Sequence, residues 1–164
     1  MKILTFGCFN IVHPGHFDLF KQSKELATDT YLIVAIADDR IVEDAKGECV
    51  YPLRERVAMI QGCRYVDAID IYGQDVPDET LKAARTYKEH LELLYPYEQK
   101  IVEFHKPNIL TFGDDKPITA YRHLQNRVRC LQLPRLGKEM SSTTILSRFQ
   151  RQEPTLPDDY EKTI

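Results

Sequence analysis

The amino-acid sequence predicts a doubly wound α/β fold in which five parallel strands are separated by helices. Three observations lead to this prediction. Short apolar runs alternate along the chain with longer amphipathic stretches, as strands alternate with crossover helices. The run 31–37 is apolar throughout, which is typical of a strand buried on both faces of a parallel sheet. The length of 164 residues fits one such domain.

The elements follow in order from the positions of apolar residues and turn formers. The predicted strands, each a short apolar run, are Lys2–Phe6, Tyr31–Ala37, Ala68–Tyr72, Ile109–Phe112 and Val128–Leu133. The predicted helices are Gly15–Leu26, Leu53–Gly62, Pro77–Leu94, Tyr97–His105, Ile118–Arg127 and Ser141–Arg151. Pro77-Asp78-Glu79 has the composition of a first helical turn, and Tyr95-Pro96 is predicted to separate the third helix from the fourth.

Two segments lie outside this alternation. One helix is enough to connect parallel strands, so the two helices predicted between strands three and four indicate a helical insertion at about residues 73–106. Its aromatic and basic residues, including Arg85 and Lys88, leave two interpretations open: packing on the sheet, or a contribution to a ligand pocket or a dimer contact. The polar segment 153–164 is predicted to be a loosely held tail, which leaves residues 1–152 as a single domain.

Composition argues against several classes of function. The formal net charge of −3 gives no general attraction for nucleic acid or for an anionic membrane. No apolar run reaches about 18 residues, and the chain begins on a strand without the pattern of a signal peptide, so we expect a cytoplasmic protein. The four cysteines include no Cys-x-x-Cys pair, which argues against zinc and for free thiols.

The segment from Gly7 to His16 has the strongest functional pattern. It joins the first strand to the first helix, and its two histidines, His13 and His16, flank a Pro-Gly pair. In an open α/β sheet ligands bind in the crevice at such turns, and the free N–H groups of a helix N-terminus suit a phosphate. Gly7 is expected to let a ligand approach the backbone, and Gly15 to leave room beside His16. The pattern therefore predicts a phosphate-binding site, the alternative being a pair of core or capping histidines.

This segment resembles the HxGH signature of the nucleotidyltransferase superfamily. It is similar to the pattern Gly-x-Phe-Asp-x-x-His-x-Gly-His of the cytidylyltransferase branch. The matching residues are Gly7, Phe9, His13, Gly15 and His16, whereas Asn10 stands where the pattern has Asp. The resemblance implies a Rossmann-like sheet and transfer of a nucleotidyl group without a covalent enzyme intermediate.

A second segment of this resemblance lies between the fifth strand and the last helix. Arg135 and the hydroxyl run Ser141-Ser142-Thr143-Thr144 are similar to the family's Arg-x-x-Gly-Ile-Ser-Thr-Thr, with one more residue before the run. Four hydroxyl residues exceed what one helix cap needs, and with Arg135 and Lys138 they predict a phosphate cradle. A capped helix beside a basic loop is the alternative.

Two more segments resemble the same family. Gly113-Asp114-Asp115 is similar to a run beside the nucleotide in the glycerol-phosphate cytidylyltransferases, and a helix cap is the alternative. Lys46, Tyr51 and Arg56 fit the family's lysine-bearing loop and the Tyr-x-x-x-x-Arg element that follows it. The alternative for Arg56 is a salt bridge within its own helix.

The resemblance implies a role for each matching residue. The implied catalytic residues are His13, His16, Lys46 and Arg135. The implied nucleotide-binding residues are Gly7, Cys8, Phe9, Asn10, Gly15, Gly113, Asp114, Asp115, Ser141, Ser142, Thr143 and Thr144. Lys46 and Arg56 are implied to bind the acceptor. Mg²⁺, or Mn²⁺ in its place, would bridge phosphate oxygens, and no protein ligand is assigned to it.

The implied reaction transfers CMP from CTP to a small phosphorylated acceptor and releases pyrophosphate. Glycerol 3-phosphate or another polyol or sugar phosphate is the first choice of acceptor, and Arg64–Asp67 with Gly113–Asp115 favours CTP. Two alternatives stay open: an adenylyltransferase that uses ATP on a sugar or cofactor phosphate, and a nucleotide-binding relative without turnover, an alternative that Asn10 keeps open. The same resemblance implies a homodimer.

Overall fold

The structure is a computed structural model that describes residues 1–84, 86–134 and 141–150. Its centre is a sheet whose strands, in these ranges, are β1 (Lys2–Gly7), β2 (Tyr31–Ala37), β3 (Ala68–Tyr72), β4 (Ile109–Gly113) and β5 (Arg129–Leu133). The strands lie in the order β3-β2-β1-β4-β5, and every pair of neighbours is parallel. The predicted Rossmann-like sheet of five parallel strands is confirmed.

Helices cover both faces of this sheet. They are α1 (Pro14–Lys24), α2 (Asp39–Lys46), α3 (Leu53–Gln61), α4 (Asp78–Ala83), α5 (Tyr87–His105) and α6 (Ser142–Gln150), with a 3₁₀ turn at Arg122–Leu124. One core cluster, which includes Phe20 and Ile60, packs α1 and α3 on one face, and a second cluster, which includes Val42 and Leu94, packs α2 and α5 on the other. Within the described ranges, no helix combines the length and the apolar character needed to cross a membrane.

The strand order creates a crevice at the carboxyl ends of β1 and β4, which we call the switch-point crevice. From β1 the chain crosses outward to β2 and β3, and then returns past β1 to β4 and β5 on the other side. Ligands bind at such a reversal, because the loops that leave the two strands diverge there. Thr5 of β1 pairs with Thr111 of β4, so the segments that follow both strands open into this crevice.

The sequence prediction did not include α2. The carboxylate of Asp38 accepts a hydrogen bond from the backbone N–H of Arg40 at 3.2 Å and begins the helix, and Gly47 ends it with a left-handed φ of 80°. Most of the residues of this helix are charged. Its two buried residues, Ile41 and Val42, therefore do not form an apolar pattern that predicts a helix.

Three helix predictions were wrong. The predicted helix Pro77–Leu94 is divided between α4 and α5. The break expected at Tyr95-Pro96 does not occur, because Pro96 lies inside α5, where the buried Leu94 and Val102 hold the helix against the sheet on either side of it. The predicted helix Ile118–Arg127 is instead a series of turns around the short 3₁₀ segment. The carbonyl of the fully buried Leu124 ends that segment by accepting from two backbone N–H groups, those of residues 127 and 128.

The segment predicted as an insertion contains α4 and α5. α5 packs against α2, where the buried His90 pairs with Asp44, and against β3, where His105 Nε2 lies 2.6 Å from Asp70 Oδ2. Lys88 is exposed and lies 3.8 Å from the carboxylate of Glu92, while Arg85 falls outside the described residues. These contacts agree with the packing interpretation of the insertion.

Candidate active site

The loop after β1 is shaped by Phe9. This residue adopts a left-handed φ of 50°, and its ring turns back over Gly7. A Cβ at Gly7 would lie 2.6 Å from Phe9 Cζ, so the glycine is needed to admit this ring. We expected Gly7 to leave space for a ligand, but in the structure the Phe9 ring occupies that space. The Phe9 side chain is buried against Phe20 of α1, and this contact holds the loop in place.

His13 and His16 form a stacked pair at the start of α1. Their ring centroids lie 3.8 Å apart with the planes 26° from parallel, and the edge of Phe9 packs on His16. The backbone N–H of His13 donates to His16 Nδ1 at 3.4 Å, and the His16 N–H donates to the His13 carbonyl at 2.9 Å. Because Nδ1 of His16 accepts, the neutral ring carries its proton on Nε2. His16 is partly exposed, beside the loop that follows β1.

The N-terminus of α6 contacts the same loop. Ser141 caps the helix by accepting from the Thr144 N–H at 3.1 Å, and Ser142 Oγ donates to the Ile11 carbonyl at 3.4 Å. Two helix N-termini, those of α1 and α6, therefore meet at one loop, where their free N–H groups favour an anion. Gly15 is buried at the start of α1, as expected for close packing beside His16. Arg135, Lys138 and the side chain of Thr143 fall outside the described part of the structure.

Asn10 connects the β1–α1 loop to the segment that follows α2. Its Oδ1 accepts from the Val50 N–H at 2.7 Å, and its Nδ2 donates to the Glu48 carbonyl at 2.8 Å. The side chain is 8% exposed, so both bonds are made in a buried setting. An aspartate could keep the first bond but has no donor for the second. The amide of Asn10 therefore has a structural role: it positions the segment that follows α2. Lys46 is exposed at the end of that helix.

Arg56 differs from its predicted role. Its side chain is 0% exposed, and it donates to three oxygens of the protein: the Tyr51 carbonyl at 2.9 Å, the Cys8 carbonyl at 2.6 Å and Asp39 Oδ1 at 2.6 Å. The predicted direct contact with an acceptor does not fit this burial. Arg56 instead ties the end of β1 to α2 and to the start of α3. Sequence reasoning missed Asp39, its ionic partner.

The Asp39–Arg56 pair also determines the state of a neighbouring thiol. Burial alone would raise the pKa of Asp39, but hydrogen bonds from Arg56 and Cys49 and the charge of Arg56 lower it below its ordinary value of 3.8. The Cys49 thiol lies 3.3 Å from Asp39 Oδ1, and burial together with this carboxylate raises its pKa to about 11. Cys49 is therefore a neutral thiol at physiological pH. Cys8 is a free, partly buried thiol that packs on the core.

Gly113, Asp114 and Asp115 lie at the carboxyl end of β4, beside the switch-point crevice. The Asp114 N–H extends the pairing with β5 by donating to the Leu133 carbonyl at 3.1 Å, and both aspartates are exposed. A turn follows rather than a helix, so the helix-cap alternative does not apply. Sequence reasoning overlooked the next residue, Lys116, whose ammonium donates to the Tyr121 hydroxyl at 2.6 Å.

In the part of the chain that the structure describes, no three His, Cys, Asp or Glu side chains are grouped so as to hold a metal ion. The donors around the loop after β1 are imidazoles, hydroxyls and backbone N–H groups, which suit phosphate oxygens better than a hard cation. This set of donors is compatible with an anionic ligand.

A family model described as cytidylyltransferase-like matches residues 4–148. The bifunctional protein HldE of Gluconacetobacter diazotrophicus is 41% identical over 80 residues, which are 48% of this chain and 16% of that protein. Choline-phosphate cytidylyltransferase A of Rattus norvegicus is 36% identical over 69 residues, 42% of this chain and 19% of that protein. The chain thus matches less than a fifth of the length of these relatives.

Among solved structures, the fold is similar to that of a lipopolysaccharide core biosynthesis protein from Thermoplasma volcanium, with a TM-score of 0.59 and 21% sequence identity. The likeness covers 83% of this chain and 98% of that chain. At this identity it shows a shared fold.

Proposed function

This chain belongs to the cytidylyltransferase-like family, and we propose that it transfers CMP from CTP to a small phosphorylated acceptor. The observation that carries the proposal is the stacked His13–His16 pair, which lies at the start of α1 and beside the start of α6. Glycerol 3-phosphate or another polyol or sugar phosphate is the proposed acceptor. ATP in place of CTP is the alternative.

In the proposed reaction an oxygen of the acceptor phosphate attacks the α-phosphorus of CTP. The bond between that phosphorus and the oxygen bridging to the β-phosphate breaks, and pyrophosphate leaves with the bonding electrons. No enzyme group becomes covalently attached, so catalysis rests on positioning and on stabilising the charge that develops on the α-phosphate. His16 Nε2–H is the donor proposed for an α-phosphate oxygen, and His13 stacks on that ring and orients it.

The leaving pyrophosphate is proposed to lie at the N-terminus of α6. The first backbone N–H groups of that helix are suited to phosphate oxygens, and Arg135 is proposed to add positive charge beside them. The Ser142 hydroxyl, which donates to the Ile11 carbonyl, is proposed to hold the start of α6 against the loop. Lys46 is proposed to reach the phosphates from the end of α2, where Asn10 holds the following segment. Mg²⁺ or Mn²⁺ is proposed to enter with the triphosphate. The described residues contain no group of three His, Cys, Asp or Glu side chains that could hold it, so phosphate oxygens of the substrate would be its main ligands.

A relative that binds nucleotide without turnover remains the second candidate, since Asn10 replaces the family's aspartate. The two hydrogen bonds of Asn10 favour the proposal of an active transferase. They give the amide a structural role, so the asparagine need not be a sign that catalytic activity was lost.

The test is release of pyrophosphate from the purified protein with CTP or ATP, Mg²⁺, and a panel of phosphorylated acceptors that includes glycerol 3-phosphate. We expect release that depends on the acceptor and is faster with CTP. A larger rise in melting temperature with CTP than with ATP would support the same preference, because ligands that bind only the folded state stabilise it. Faster release with ATP would favour the adenylyltransferase alternative, and nucleotide binding without release would favour the inactive relative.

A further inference from the structure

Lys116 places a positive charge in the switch-point crevice. It follows Asp115 in the turn that leaves β4, the strand that pairs with β1, and its side chain is partly buried. β1 and β4 are the two strands between which the direction of the chain reverses. The ammonium is therefore placed where an open α/β sheet binds ligands.

The contacts of Lys116 leave its charge without a close counterion. Its ammonium donates to the Tyr121 hydroxyl at 2.6 Å and lies 5.0 Å from the centre of that ring. Tyr121 is 4% exposed, and burial raises its pKa to about 12, so the hydroxyl is neutral at physiological pH. The buried carboxylate of Glu98 acts on the ammonium from farther away, but it lies 2.8 Å from His123 Nε2. No described carboxylate lies within 4.0 Å of the ammonium.

Two arginines near this edge of the sheet differ in that respect. Arg56 is paired with Asp39 at 2.6 Å, and Arg40 is paired with Asp38 at 3.0 Å and with Asp78 at 2.6 Å. A partly buried ammonium that has only a neutral partner carries a desolvation cost that an anionic ligand would offset. The crevice around Lys116 is thus complementary to an anion.

The two faces of the sheet indicate which anion this is. His16 contacts Phe9, which belongs to the core cluster under α1 and α3, whereas Tyr121 belongs to the cluster under α2 and α5. The proposed pyrophosphate site at α6 lies with the histidines. In phosphoryl and nucleotidyl transfer the attacking and leaving oxygens lie roughly in line on opposite sides of the phosphorus. The attacking group is then expected on the α5 side, where Lys116 lies.

We propose that Lys116 binds the phosphate group of the acceptor in the switch-point crevice, and that Tyr121 is the residue that positions its ammonium. This inference rests on the proposed function for the identity of the ligand. It assigns the acceptor site to the loop after β4, and it takes over the role that the sequence had given to Arg56.

Calorimetric titration tests the proposal without turnover. The probes are glycerol 3-phosphate, ribose 5-phosphate, glucose 1-phosphate and inorganic phosphate, each added to the full chain with and without CTP. Lys116→Met removes the charge and keeps the length of the side chain, so we expect it to weaken binding of the phosphate probes roughly tenfold to a hundredfold. Its affinity for CTP should stay within about twofold. Lys116→Arg should restore most of the binding.

Tyr121→Phe should weaken the same probes to a smaller extent, since the ammonium keeps its charge and loses only its orienting partner. Lys100→Met is the matched control, because Lys100 is an exposed lysine of α5 paired with Asp75 at 2.7 Å. Melting temperatures show whether each variant folds. Unchanged binding of the probes in a folded Lys116→Met, an equal loss in Lys100→Met, or no binding of any probe by the wild type would overturn the proposal. Intact binding without release of pyrophosphate would instead count against the proposed function.

Discussion

The His13–His16 pair provides the most direct test of the chemistry at the scale of one residue. His16→Ala removes the Nε2–H donor proposed for the α-phosphate, and loss of one such donor lowers turnover by about a hundredfold or more. The fold should survive, because His16 is partly exposed and the core of α1 is formed by Phe20. Turnover and melting temperature are measured on the same preparation.

The control for this variant is His105→Ala at the end of α5, where His105 contacts Asp70 of the edge strand β3. We expect that variant to keep its turnover. Unchanged turnover in His16→Ala would remove the histidine from the mechanism, and a collapsed fold would identify the pair as core histidines.

The Asp39–Arg56 pair makes a prediction about stability. Asp39→Asn leaves a fully buried guanidinium without its counterion, and breaking a buried pair costs about 3–5 kcal/mol. Because the Asp39 side chain is 38% exposed, we expect a loss of about 2 kcal/mol at pH 7. Urea denaturation of the wild type and the variant measures this difference.

The same pair has a defined pH dependence. The folded-state pKa of Asp39 is lowered, so its contribution is complete above the unfolded value and is lost as the pH falls through the lower folded value. The difference in unfolding free energy between the wild type and Asp39→Asn should therefore be constant near neutral pH and should decrease toward zero below about pH 4. A gap that persists unchanged to about pH 3 would contradict the assigned ion pair.

At the scale of elements, the strands could be predicted because each is a short apolar run whose partners are equally apolar. α2 could not be predicted, because most of its residues are charged and its two buried residues are too few to form an apolar pattern. Its ends depend on the cap at Asp38 and on the left-handed conformation of Gly47. Pro96 led to the opposite error. A proline argues locally for a break, but the helix that contains it is held by tertiary contacts that lie far away in the sequence.

Asn10 yields the prediction for the loops. Asn10→Asp keeps an acceptor for the Val50 N–H but removes the donor to the Glu48 carbonyl and places a carboxylate beside that oxygen. We expect a loss of about 1–3 kcal/mol in stability and faster hydrogen exchange at Val50. The KM for CTP should rise, because the segment that follows Lys46 then lacks the hydrogen bond from residue 10 to the Glu48 carbonyl. Denaturation, exchange and initial rates measure the three effects.

Asn108→Asp is a matched control for this change. Asn108 is exposed, and its described role is to accept from the Lys2 N–H at 2.8 Å through Oδ1, which a carboxylate also does. It should leave stability and rates near those of the wild type. A rise in turnover in Asn10→Asp would contradict the structural role and support the view that the natural asparagine has reduced activity.

At the scale of the whole molecule, the sequence predicted which segments the fold brings together better than it predicted what each residue contacts there. The signature loop, the α6 hydroxyls and Gly113–Asp115 could be found because each is a local pattern at a strand end. The roles of Arg56 and Asn10 depend on partners 17 to 48 residues away, which a motif does not reveal. Lys116 was missed for a similar reason, since its importance comes from the strand order that brings β4 next to β1.

The strand order also bears on assembly, where we propose a homodimer. β3 is an edge strand, and its open side forms a groove with α3 that is lined in part by Val57, Val66, Ile69 and Ile71. The described residues leave this edge unpaired, and a second copy of the chain can pair with it through a two-fold axis. Light scattering at micromolar concentration should then give twice the chain mass of 19.1 kDa. Ile71→Lys should give the monomer without a large fall in melting temperature, since Ile71 is only partly buried. A monomeric wild type, or a dimer that Ile71→Lys leaves intact, would show that this edge is not the interface.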